Sequence, residues 1–101
     1  MKKIINKKLY DTKTATYIAG YEYGTPRDLA YVSEDLYQKK NGELFLHAEG
    51  GPKSEYCKYS SENSWGGGEE IIPESMFNAK KWVEEHCDAD VYIKLFGEVE
   101  E

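Results

Sequence analysis

The sequence predicts an α+β fold, a small antiparallel sheet with a central hairpin and two C-terminal helices packed on one side of it. Three observations predict it. Asn41-Gly42 stands between two apolar-rich runs, as in a tight hairpin. Met76, Ala79, Val83 and Cys87 then recur at helical spacing behind Ser75, a natural cap. A shorter apolar stripe follows Asp88 and meets a natural stop at Gly97. At 101 residues, a single domain over 1–101 is expected.

Taken in order, "KKIINKKLYDT" reads as a short strand or hairpin arm. Asp11, Thr12 and Thr14 offer capping oxygens for a short helical turn. "TYIAGYEYG" has alternating aromatics broken by glycines, which suits an irregular or extended segment, and Pro26 forces Thr25 away from helical geometry. A two-residue loop at Asn41-Gly42 pairs Lys40 with Glu43, and so Tyr37 with Leu46 and Leu36 with His47. Both faces of that hairpin then carry apolar residues, one for the core and one for the N-terminal segment or a partner. Residues 50–68 lack periodicity and hold Tyr56, Tyr59 and Trp65, which is where a functional loop is expected. "EEIIP" reads as a strand ended by Pro73. The first helix flanks its stripe with Trp82, and the second carries Tyr92, Leu95, Phe96 and Val99.

Several chemistries are excluded by pattern. The glycines of "SWGGGEE" lack the Lys-Ser/Thr of a phosphate loop and are followed by Glu69 and Glu70, so they read as a bend. His47, Cys57, His86, Cys87, Asp88 and Asp90 form no closely spaced ligand pairs, so neither a metal nor any other cofactor is expected. No nucleophile signature accompanies His47, Glu49 or Ser60, and an enzyme is not expected. Cys57 and Cys87 are far apart, "MKKIINKKLYD" has no apolar stretch behind its lysines, and no apolar run is long enough for a membrane. A cytoplasmic protein with reduced thiols is expected.

The net charge of −6 is unevenly spread. Residues 1–28 hold six basic residues against three acids, whereas 69–101 hold three against ten. An acidic surface repels free nucleic acid and suits a partner that ordinarily holds it. The alternative is direct RNA or DNA binding through Lys2, Lys3, Lys7, Lys8 and Lys13, interleaved with Tyr10, Tyr17, Tyr21 and Tyr23. The acidic total weighs against it, because phosphate neutralisation supplies most non-specific affinity.

Four stretches carry a resemblance: "KKIINKKLYDTKTA" at 2–15, "LYQKKNGELFLHAEGG" at 36–51, "NSWGGGEEIIP" at 63–73 and "AKKWVEEHCDADVYIKLFGEVEE" at 79–101. Through them the chain resembles a group of small proteins carried by phages and mobile genetic elements of Gram-positive bacteria. Within that group it looks like the type II-A anti-CRISPR inhibitors. The group often carries a glycine near Lys7, so the first turn departs from its pattern here. The resemblance implies a stoichiometric inhibitor that binds the host's type II RNA-guided DNA nuclease and interferes with guide-RNA loading or assembly. That nuclease holds nucleic acid in a basic channel. The candidate contacts are the acids Glu84, Glu85, Asp88, Asp90, Glu98, Glu100 and Glu101 near the C-terminus. Tyr56, Tyr59 and Trp65 are candidate aromatic anchors.

Overall fold

The computed structural model describes the backbone of residues 1–25, 27–51, 54, 56, 58–60, 64–66 and 68–101, and the side chains of these except 58–60 and 64–66. It has the expected α+β architecture, antiparallel throughout the described strands, with both helices at the C-terminal end.

The N-terminal segment is a complete hairpin. Strands β1 (Lys2–Ile5) and β2 (Lys8–Asp11) pair around Asn6 and Lys7, whose φ values are 51° and 67°. Positive φ at both central residues gives the turn the twist of its strands. The helical turn expected next is one closed turn, in which Ala15 N–H donates to the Asp11 carbonyl at 3.1 Å. The Asp11 carboxylate also accepts from Lys13 N–H at 2.9 Å, which ends β2. "TYIAGYEY" is then a full strand, β3 (Thr16–Tyr23), irregular only between Tyr17 and Ala19. Pro26 lies outside the described residues.

Next come β4 (Val32–Gln38) and β5 (Leu44–Gly50), then the short pair β6 (Lys58–Ser60) and β7 (Ser64–Gly66), and finally β8 (Gly68–Glu74). The main sheet runs β3-β4-β5-β8. The triple glycine lies where β7 passes into β8, with Gly67 itself outside the described residues.

The hairpin register differs from the expected one. Lys39 N–H donates to the Glu43 carbonyl at 2.8 Å and Gly42 N–H to the Lys39 carbonyl at 2.9 Å, so the loop holds three residues. Only Gly42 takes positive φ, 95°, while the Asn41 side chain accepts from Glu43 N–H at 2.9 Å. This is the three-residue loop with glycine in its last position. The longer loop pairs Tyr37 with Phe45 and Leu36 with Leu46, instead of with Leu46 and His47. Like residues thus face one another: Leu36 and Leu46 on one face, and the stacked rings of Tyr37 and Phe45, 5.5 Å apart, on the other.

Pro73 does not end the last strand. It pairs with Phe45 inside β8, which runs on to Glu74. Since β8 is an edge strand, a missing N–H can be turned away from the ladder there.

Both helices begin behind their expected caps and α2 stops before Gly97 as expected, whereas α1 ends at His86 and Cys87, expected on its helical stripe, is the extended residue that follows. Helix α1 (Met76–His86) is capped by Ser75, whose Oγ accepts from Asn78 N–H at 3.1 Å. Helix α2 (Ala89–Phe96) is capped by Asp88, which accepts from Val91 N–H at 3.1 Å, and Gly97 follows at φ 93°. Met76 is exposed at the start of α1, and Val99 stands beyond the end of α2.

The helices cover one face of the sheet, where Leu36, Leu44 and Leu46 meet Ala79, Trp82 and Val83. On the opposite face Phe45 and Ile71 meet Tyr10 of the N-terminal hairpin. Phe45, Leu36 and Val83 are fully buried. Each such side chain contributes roughly 1.5–3 kcal/mol relative to exposure. Among the described residues, no helix is long and apolar enough to cross a membrane.

Candidate partner-binding site

The C-terminal acids divide between two places. Glu84 and Asp88 flank the junction of α1 and α2, and Glu100 comes back beside them. Together they rim a groove of about 540 Å³ whose apolar lining includes Val83, Tyr92, Ile93 and Val99. Cys87, a free thiol, lies in the same groove, and burial, followed by the charge of Asp88, pushes its pKa up. Asp90 is exposed in the first turn of α2, where a carboxylate favours the positive end of the helix dipole. Glu98 and Glu101 are exposed and outside the groove lining.

Glu85 points to a different cleft, of about 460 Å³, on the helix-covered face of the sheet. Its floor is a residue that the sequence reading passed over. Glu34 is only 8% exposed. One of its oxygens accepts from Trp82 Nε1–H at 3.0 Å, and the other accepts from the Tyr56 hydroxyl. Strand alternation explains its position, because Tyr21, Glu34, Leu46 and Ile72 occupy one face across β3, β4, β5 and β8. Glu74 lies in the same cleft, where burial pushes its carboxyl above the usual glutamate range and the Glu34 charge adds to the effect. The Tyr21 ring stacks on His86 at 3.9 Å, and Trp82 meets His86 edge-on at 5.2 Å.

Tyr56, expected as a surface anchor, is buried at 7% exposure, with its hydroxyl engaged by Glu34. Its backbone is placed by Ser54, whose Oγ accepts from Tyr56 N–H at 3.2 Å and donates to the Gly51 carbonyl at 2.7 Å. A Cβ at Gly51 would stand 2.5 Å from the Leu29 carbonyl oxygen, which explains why that position is glycine. The backbones of Tyr59 and Trp65 pair across β6 and β7, and their side chains lie outside the described residues.

The basic and aromatic residues of the N-terminal region do not form one stacking strip. Tyr10 is buried, with the Lys39 ammonium 3.6 Å from its ring centroid, and Lys8 is paired with Glu43 at 2.7 Å. Tyr17 packs edge-on against Tyr37, whereas Tyr21 and Tyr23 line the cleft on the other face. Lys2, Lys3, Lys7 and Lys13 remain exposed.

A second polar cluster follows from the same alternation. Asp35, next to Glu34 in the chain, pairs across the sheet with His47 on the opposite face, and His47 Nε2 lies 3.0 Å from Glu69. Burial raises the Asp35 pKa, His47 opposes the rise, and Glu22 and Glu49 add to it. Among the described residues, no group of three or more His, Cys, Asp or Glu side chains could hold a metal ion. Cys57 lies outside the described residues. Comparison with family models, curated proteins and solved structures returns no match.

Proposed function

We propose that this chain inhibits the type II RNA-guided DNA nuclease of its bacterial host by binding it and interfering with guide-RNA loading. The resemblance of its four stretches to type II-A anti-CRISPR inhibitors supports the reading. The observation that carries it furthest on the molecule is the groove between α1 and α2. An apolar floor with Glu84, Asp88 and Glu100 around it has the anatomy of a protein interface. Its charge is opposite to that of a channel built to hold nucleic acid.

The test is an order-of-addition cleavage assay with purified components. Inhibition is expected to be strong when the protein meets the nuclease before guide RNA, and weaker after assembly. The combined variant Glu84→Gln, Asp88→Asn and Glu100→Gln removes the three charges of the groove while keeping a good helix cap at position 88. It is expected to associate more slowly and inhibit less, since complementary charge acts mainly on encounter. Full potency in that variant excludes the acidic-surface mechanism. No inhibition in either order, across several type II nucleases, excludes the function.

Direct RNA binding through the exposed Lys2, Lys3, Lys7 and Lys13 is the second reading. It predicts a salt-sensitive gel shift with the isolated protein, and absence of a shift at low salt removes it.

A further inference from the structure

We infer that the cleft above Glu34 receives an arginine side chain of the protein this chain binds, held between carboxylates and aromatic rings. The inference rests on the reading that the chain acts by binding a protein, and adds what chemistry one of its contacts recognises.

The reasoning starts from the floor. Glu34 is more than nine-tenths buried, and both its oxygens accept hydrogen bonds, from Trp82 and Tyr56. Those donors are neutral. They fix the carboxyl in place without balancing a negative charge. Among the described residues, no Lys, Arg or His nitrogen lies within 4 Å of it. Arg27, the chain's single arginine, is not in the cleft lining. A second carboxyl, Glu74, shares the cleft, and Glu85 stands in its lining. Glu85 is exposed and lies 3.9 Å from His86 Nε2 of the same cleft, so the carboxylate that burial leaves without a counter-charge among the described residues is Glu34, and an arriving cation relieves this.

The walls decide which cation. Tyr21, Tyr23 and Trp82 line the cleft with ring surface, and Tyr23 is well exposed. A guanidinium stacks on aromatic faces and presents a planar fork of donors to carboxylate oxygens, whereas an ammonium is a hydrated point charge. A metal ion is a poor fit, since no group of potential ligands is close enough to hold one among the described residues. A space of about 460 Å³ has room for one long side chain.

The test uses the full chain and a defined probe, N-acetyl-arginine methylamide, with the citrulline analogue as its uncharged counterpart. Both are titrated while the Trp82 indole N–H resonance is followed by NMR, assigned with the Trp65→Phe variant. Arginine is expected to shift the Trp82 resonance saturably, and citrulline to leave it in place. Glu74→Gln and Tyr23→Ala avoid the hydrogen bonds that hold Glu34. Glu74→Gln is expected to weaken binding about tenfold through loss of a charge-assisted contact. Tyr23→Ala is expected to weaken it less.

No saturable shift, or an equal response to citrulline, overturns the inference. So does unchanged affinity in both variants. A lysine probe binding as tightly as arginine overturns the role given to the rings. Because the titration contains no nuclease, its failure is distinct from failure of the inhibitor reading, which the cleavage assay decides.

Discussion

Replacing Lys7 with glycine should make this protein more stable. Lys7 is the second central residue of the β1–β2 turn and sits at φ 67°, beside Asn6 at 51°. Asn tolerates this region, but a lysine Cβ crowds the following carbonyl there, at a cost of roughly 1–2 kcal/mol. Glycine removes the clash and adds freedom to the unfolded chain, which offsets about 0.5–1 kcal/mol. The net gain is about 0.5–1 kcal/mol, or a rise in Tm of about 4 °C for a domain of this size. Nothing else is lost, because Lys7 is exposed and makes no ion pair among the described residues. Lys7→Ala is the control, since it deletes the charge and stem but keeps the Cβ. Thermal melts followed by circular dichroism compare the three proteins, and hydrogen exchange of β1 and β2 amides shows where stability is gained. The reasoning fails if Lys7→Gly melts no higher than Lys7→Ala. It also fails if Lys7→Ala captures the whole gain, which would assign the effect to charge.

The other predictions concern the central hairpin. Gly42→Val is expected to lower stability by about 1–2 kcal/mol through backbone strain at positive φ. A Cβ there meets nothing within 4 Å, so a clash cannot explain the loss. An unchanged Tm would mean that the loop takes another conformation. The Glu43 carboxylate accepts from Lys8, Asn41 and Lys39, and these hold its pKa down to about 2. Because the folded value lies below the ordinary one, the stabilisation is present at neutral pH. It is lost as pH falls from the usual glutamate range towards 2. NMR titration of Glu43 checks the low value, and Lys8→Ala is expected to raise it. An unmoved titration in Lys8→Ala would refute the role given to that ion pair.

What the sequence determined by itself was local. Ser75 and Asp88 cap their helices through bonds that reach three residues along the chain, so cap and helix are written together. Gly97 and Gly42 are legible for the same reason, as positions where the backbone takes a conformation that glycine suits. The hairpin's existence followed from such signals, but its register did not. The Asn41 side chain and Gly42 close a three-residue loop where the dipeptide alone suggested two, and that one-residue difference repaired β4 against β5 throughout. Pro73 gave a stop signal that β8 overrides, since only the finished sheet makes β8 an edge. The groove that gathers Glu84, Asp88 and Glu100 was half visible, as acids crowded near the C-terminus. The Glu34 cleft was not visible at all. Glu34 and Asp35 are neighbouring acids in an ordinary strand, and alternation sends them to opposite faces. Which face lies under α1 is decided by packing of Leu36 and Leu46 against Ala79 and Val83. Only that packing brings Trp82, 48 positions away, and Tyr56, 22 positions away, onto the Glu34 carboxyl. No local pattern encodes contacts over such separations, because they form only once the sheet and helix have packed.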